Sequence, residues 1–296
     1  MTQSITPPFD QPYFTGCPQW SHPQWLGKIT PSGVPNHRAL HYYSQSFNAV
    51  EGNTTFYGMP NREVFTKWRD ETPSNFTFFL KFPKRITHEL ALNSRAIDEA
   101  REFLDRALIL GSRLGPLFIQ LPASFTPHHL NQLHSFVKGL ASPRPLAIEV
   151  RASEFFTQQG SKKLHQYLSR LKIERVWMDT SPLRAAIPPY SQAVQTAMER
   201  KPRHIAYPIA LGPHPVIRYV GHPQLKANQP WLKAWATVFA RWITEGRQPF
   251  FFAHYPGEEF APELAQYFHT LLVNQLPHLP PLPIWPSERQ QSLLTL

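Results

Sequence analysis

Phe76-Thr77-Phe78-Phe79-Leu80, followed at once by Lys81, is apolar at nearly every position. A strand with one wet face alternates apolar and polar residues, whereas a parallel strand covered on both faces does not: its side chains meet the sheet interior on one side and helices on the other. Eight runs of this kind, rich in aromatic and aliphatic residues, are read near residues 13–17, 49–53, 77–82, 117–121, 146–151, 175–179, 216–220 and 250–254. They recur at intervals of roughly 30 to 40 residues, the size of one strand, one loop and one crossover helix.

The segments between the runs carry helical periodicity. Thr126-Pro127, an N-cap followed by proline at the first helical position, precedes Leu130, Leu133, Phe136 and Val137. Similar stripes run through Phe103, Ala107 and Leu110, closed by Gly111; through Leu164, Leu168 and Leu171; and through Trp235, Phe239 and Trp242, closed by Gly246. Alternating strand and helix argues for an α/β fold with an all-parallel sheet. Eight units favour a single (β/α)8 TIM-type barrel over residues 13–276, with an open doubly wound sheet as the alternative. Residues 1–12 form an N-terminal extension in this reading, and 277–296 a proline-rich C-terminal tail packed on the barrel.

Two stretches break the rhythm. Residues 182–215 are long enough to hold a short helix around 192–199 and to cover the barrel mouth as a lid. In the tail, Pro280, Pro281 and Pro283 favour an extended strap that Trp285 anchors. The 32 prolines are spread through loops, so no linker marks a second domain.

Composition limits the rest. At 296 residues and 42% hydrophobic content the chain can bury one large core. Its longest apolar runs, such as 250–253, fall far short of the roughly 20 residues that cross a bilayer. The first ten residues show no basic stretch followed by a long apolar one, so a cytoplasmic location is expected. A single cysteine, Cys17, cannot form an intramolecular disulfide and reads as a small, partly buried filler. The net charge is +10 and the isoelectric point about 9.8, yet only 17% of residues are charged and no basic block stands out. The densest patches are Lys84-Arg85 and Arg200-Lys201 with Arg203. A mildly basic surface tilts the expected ligand towards anions.

Function is sought at the C-terminal ends of the strands, the active-site face of a β/α barrel. Glu51 and Asn53, Lys81, Gln120, Glu149 and Arg151, Asp179, Arg218 and His254 all stand there. Residues two apart on a strand share a face, so Glu51 goes with Asn53, and Glu149 with Arg151.

These residues carry a resemblance. Gly16 with Trp20 and Trp25, the run Val50-Glu51-Gly52-Asn53-Thr54-Thr55-Phe56-Tyr57, and Lys81 with Ile86-Thr87-His88 look like the YecE-like family, the domain of unknown function numbered 72. So do Phe118-Ile119-Gln120-Leu121-Pro122, Glu149-Val150-Arg151, Asp179, Arg218 with Gly221, and Gly257 with Ala261-Pro262. The resemblance covers almost the whole chain and implies a β/α barrel with no established reaction. The sequence departs from the family pattern at Cys17-Pro18-Gln19, Gly52, Val220 and His254. Val220 stands where a histidine is common, which leaves His254, where asparagine is usual, to replace part of that role.

Three functions compete. In the first, an acid/base enzyme, hydrolase or isomerase, holds a phosphorylated or otherwise anionic substrate with Lys81, Arg151 and Arg218. Glu51, Glu149 or Asp179 serves as general acid or base, its pKa raised by low-dielectric surroundings, and Trp20, Asn53, Tyr57, His88, Gln120 and His254 contact the substrate. In the second, a hydrolase like the endonuclease-type barrels binds a divalent metal through Glu51, Glu149, Asp179 and His254. In the third, a non-catalytic protein binds nucleic acid through its basic surface and stacks bases on Trp20, Trp25, Phe56 and Tyr57. Glu149 with Arg151, or Asp179 with Arg218, could also be salt bridges that only let charges occupy the mouth. Glycine-rich phosphate loops, nucleophile elbows and dinucleotide fingerprints are missing, so no cofactor beyond a possible divalent metal is expected.

Overall fold

The computed structural model describes residues 11–203, 207, 209–283 and 285. Residues 1–10 of the expected extension, 204–206 and 208 of the expected lid, and 284 and 286–296 of the tail lie outside the described residues. The eight strands stand where the apolar runs place them: β1 Phe14–Gly16, β2 Ala49–Gly52, β3 Thr77–Leu80, β4 Leu117–Gln120, β5 Leu146–Glu149, β6 Glu174–Asp179, β7 Val216–Val220 and β8 Phe250–His254. All paired strands are parallel. Six of them form one curled sheet in the order β1-β8-β7-β6-β5-β4, while β2 and β3 form a separate pair.

Between pair and sheet, isolated bonds replace continuous ladders. Asn48 substitutes for a strand residue beside β1, accepting from the Thr15 N–H at 2.8 Å and donating to the Tyr13 carbonyl at 2.9 Å. The Glu51 N–H reaches the Cys17 carbonyl at 3.0 Å. This junction is close enough to require glycine, since a Cβ on Gly16 would lie 1.9 Å from the Ala49 carbonyl oxygen. On the other side, the Gly115 N–H donates to Phe78 at 2.9 Å and the Phe82 N–H to Phe118 at 2.8 Å.

The two-sided apolarity of the strands now has its explanation. Phe14, Ala49, Phe79, Phe118, Ala147, Val176, Val216, Phe250 and Phe252, at least one from each strand, form a single interior cluster. Neighbours of opposite parity, such as Phe78, Ile119, Ile148, Ile217 and Phe251, join the larger core beneath the helices. Fully burying one such side chain contributes about 1.5–3 kcal/mol, so register is fixed on both faces at once.

The helices in chain order are α1 Ala39–Tyr43, α2 Thr54–Tyr57, α3 Arg62–Asp70, α4 Ser94–Ala107, α5 Leu130–Leu140, α6 Gln158–Leu171, α7 Ser181–Arg184, α8 Gln192–Arg200, α9 Gln229–Thr244 and α10 Ala261–Val273. The stripes read from the sequence face inward on α4, α5, α6 and α9. Gly111 and Gly246 close their segments with positive φ, 59° and 80°. No helix among the described residues is long and apolar enough to cross a membrane.

α8 is the short helix expected within 182–215. Its Val194 and Ala197 pack with Met178 of β6, Val220 of β7 and Leu183 of α7 in a small buried cluster. Arg184 donates to the carbonyls of Met198 and Lys201 at 2.6 and 2.7 Å, and Thr180 to Pro202 at 2.9 Å. These contacts hold the C-terminal end of α8 beside the strand ends. In the tail, Leu279 and Trp285 are buried, Trp285 against the Phe47 ring.

Candidate functional site

Parity decides which polar residues reach the C-terminal rim. With Ala49, Phe79, Phe118, Ala147, Val216 and Phe252 in the interior cluster, the residues two positions on point the same way: Glu51, Lys81, Gln120, Glu149, Arg218 and His254. They enter or underlie a cavity of about 440 Å³ whose walls also include Asn53, Phe56, Tyr57, Arg151, Met178, Arg200, Lys201 and Glu258.

Arg218 is the centre of a buried network. Its Nε and Nη2 donate to the two oxygens of Glu51 at 2.8 and 2.6 Å, and its Nη1 to Glu149 Oε2 at 2.6 Å. Arg151 Nε takes the remaining Glu149 oxygen at 2.7 Å, and its Nη2 donates to Gln120 at 3.2 Å. Asn53 donates to Glu51 Oε1 at 2.8 Å and to the Pro18 carbonyl at 3.1 Å, bracing the strand end. His254 stands between two carboxylates, Nε2 3.1 Å from Glu51 and Nδ1 3.4 Å from Glu258.

This arrangement reverses one expectation and corrects another. Burial does push the Glu51 and Glu149 carboxyls up, but the cations outweigh it. Arg218 and His254 hold Glu51 well below the usual carboxylate range, and Arg151, Arg218 and Lys81 bring Glu149 down to about 2. Neither carboxyl carries a proton near neutral pH, contrary to the raised values expected of a general acid. Asp179 leaves the rim altogether. Val176 and Met178 face inward on β6, so Asp179 faces the helices, where it accepts from Trp235 Nε1 at 2.8 Å and from the Ser181 N–H at 2.9 Å. The expected Asp179–Arg218 pair is replaced by Glu51–Arg218–Glu149. The four-residue metal set is therefore not assembled, and among the described residues no three His, Cys, Asp or Glu side chains converge as a metal site.

Lys81 differs from the other strand-end cations. Its amine lies 3.9 Å from the centre of the Phe56 ring and 5.4 Å from that of Phe118. Among the described residues it makes no hydrogen bond and no ion pair. Burial, and then Arg218, lower its pKa to about 7, against the pull of Glu149 and Glu51. Two further cations, Arg200 and Lys201, arrive from the end of α8, and their heads likewise have no hydrogen bond or ion pair among the described residues. The sequence marked them only as part of a basic patch; what brings them to the rim is the packing of Val194 and Ala197, a non-local event.

Three other expected contacts sit elsewhere. Trp20 packs edge-on against Trp68, outside the cavity wall. His88 lies on Phe56 and pairs with the Thr87 hydroxyl at 2.8 Å. Trp25 is buried, donating to the Glu258 and Glu259 carbonyls, so of the four aromatics expected to stack bases only Phe56 and Tyr57 line the cavity.

Residues 14–288 match the family described as a protein of unknown function, DUF72. The chain is 35% identical over 282 residues to the UPF0759 protein YecE of Escherichia coli, covering 95% of this chain and 99% of that one. Two crystal structures of DUF72 family proteins share the fold. One, from Enterococcus faecalis, has a TM-score of 0.65 at 15% identity over 90% of this chain and 95% of its own. The other, from Thermotoga maritima, has a TM-score of 0.65 at 20% identity over 88% and 98%.

Proposed function

The chain belongs to the DUF72 family, and from the chemistry of its rim we propose that it is an enzyme acting on a small anionic, phosphate-bearing substrate, with Lys81 as the reactive amine. The observation that carries this reading is the convergence on one cavity of the Lys81 amine, resting on the Phe56 ring, with Arg200 and Lys201, whose heads have no hydrogen bond or ion pair among the described residues. The carboxylates beneath them are already neutralised by Arg218 and Arg151. In this reading Arg200, Lys201 and the outer edge of Arg151 hold the anion through charge-assisted bonds. A lysine with a pKa near 7 is in large part neutral at physiological pH and offers a lone pair. Isomerase-type chemistry at a carbonyl is favoured over hydrolysis that needs a protonated carboxyl, since Glu51 and Glu149 are held ionised. The eight strands close into one barrel in this account, the single bonds at the β1–β2 and β3–β4 junctions completing the ring.

Calorimetry with inorganic phosphate is the test. Wild-type protein should bind, and the double variant Arg200→Ala, Lys201→Ala should bind at least about tenfold more weakly, the loss expected for charge-assisted contacts of roughly 1.5–3 kcal/mol each. Equal affinity in the two proteins would sink the reading. Tyr57, 84% exposed beside the cationic cavity, favours a second reading, a single-stranded nucleic acid stacked at the rim. Its mark is affinity for oligonucleotides that falls steeply with salt and with Tyr57→Ala.

A further inference from the structure

We propose that Lys81 forms a covalent imine with its substrate, which is therefore an aldehyde or ketone that also carries an anionic group. The proposal rests on the anion-site reading above and adds what the amine does there.

Five features of the rim support it. Lys81 is among the residues that line the cavity a ligand would fill. Among the described residues no carboxylate is in ion-pair contact with the amine; burial disfavours its charged form, and the Phe56 and Phe118 rings, 3.9 and 5.4 Å away, offset that cost only in part. Arg218, fixed by two carboxylates, adds a positive charge nearby, the second ordinary way of activating an amine. Glu149 and Glu51 are within electrostatic reach of the Lys81 nitrogen, so the cationic iminium that would follow is stabilised without being paired in advance. Arg200 and Lys201 supply what the amine lacks, a means of holding the substrate by its charge.

The step balances without a further reagent. The nitrogen lone pair attacks the carbonyl carbon, and the carbonyl electron pair moves to oxygen, which takes up a proton as nitrogen loses one. The carbon–oxygen bond then breaks and the oxygen leaves as water with the second amine hydrogen. The imine takes a proton from solvent to become the iminium, and nothing is oxidised or reduced. The iminium withdraws electrons from the adjacent carbon, which makes a C–H or C–C bond there labile.

The test uses the full chain with glycolaldehyde phosphate, or uncharged glycolaldehyde at the same concentration, each followed by sodium borohydride, which turns an imine into a stable secondary amine. Peptide mapping of the wild-type protein locates the adduct. The expected result is one dominant adduct at Lys81, at least tenfold more abundant with the phosphorylated aldehyde. That preference should be lost in Arg200→Ala, Lys201→Ala, and the adduct should be absent in Lys81→Met. Adducts scattered over surface lysines, or concentrated on Lys201, would overturn the imine; if phosphate still binds calorimetrically, the anion site stands without it. Equal labelling of Lys81 by both aldehydes would leave the amine reactive and overturn the anion site instead.

Discussion

Glu149 and Glu174 are the same side chain, both buried, on the paired strands β5 and β6, but at opposite ends of the sheet. Glu149 at the C-terminal rim faces three cations and falls to about 2. Glu174, where β6 begins, accepts from the backbone N–H groups of Leu211, Gly212 and Arg175 at 2.9, 2.8 and 3.3 Å. Burial nevertheless pushes it up to about 7, the backbone donors offsetting only part of the cost. At Glu174 the three backbone donors do not offset burial in full, whereas the guanidinium contacts at Glu149 do. One end of the sheet is a structural anchor, therefore, and the other a site of fixed charge, where an unpaired amine can be activated.

The largest test breaks the rim. Arg218→Met strands two buried carboxylates and should cost about 3–5 kcal/mol in urea unfolding, most of it recovered when Glu51→Gln and Glu149→Gln are added. A loss under about 1 kcal/mol would mean that Arg218 does not hold them.

The pH dependence of stability sharpens the contrast. Glu149, lowered from 4.5 to about 2, contributes stability that is complete above pH 4.5 and lost as pH falls towards 2. Glu174, raised from 4.5 to about 7, contributes stability that is complete below pH 4.5 and lost as pH rises through 7. Each shift corresponds to ~3 kcal/mol, with opposite signs. Glu149→Gln should flatten the acid limb and Glu174→Gln the limb between pH 4.5 and 7. Slopes unchanged by either substitution would refute the assignment.

Smaller effects distinguish neighbouring residues. Lys81→Met removes a buried charge that has no ion pair among the described residues and should raise stability at pH 6 by about 1–2 kcal/mol, net of the lost contact with the Phe56 ring. Because the folded pKa is depressed from 10.5 to about 7, wild-type stability climbs between those pH values and the gain shrinks. Asp179→Asn should cost only about 1 kcal/mol through its bonds to Trp235 and Ser181 and change phosphate affinity less than twofold.

Much of this site could be read from the chain. Two-residue periodicity correctly joined Glu51 to Asn53 and Glu149 to Arg151, because each pair lies at one strand end. It did not reach Asp179, since the apolar run Val176-Trp177-Met178 before it on β6 gives no sign of which side is inward. The pairing of Arg218 with Glu51, 167 residues apart, and with Glu149 depends on strand register, which local pattern does not encode. That pairing decides the charge state of both acids, which no local stretch of sequence reveals. Lys81 is visible in the sequence as a cation, but its lack of an ion pair among the described residues follows only from the pairing of Glu51 and Glu149 with Arg218 and Arg151.

Whether Lys81 is an activatable amine in an anion-binding rim is read from its own titration. In protein labelled with 13C and 15N lysine, the Lys81 side-chain resonances should titrate with a midpoint near 7, and saturating phosphate should move the midpoint upward. A midpoint near 10.5, indifferent to phosphate, would mean that Lys81 is an ordinary ammonium with no anion site beside it.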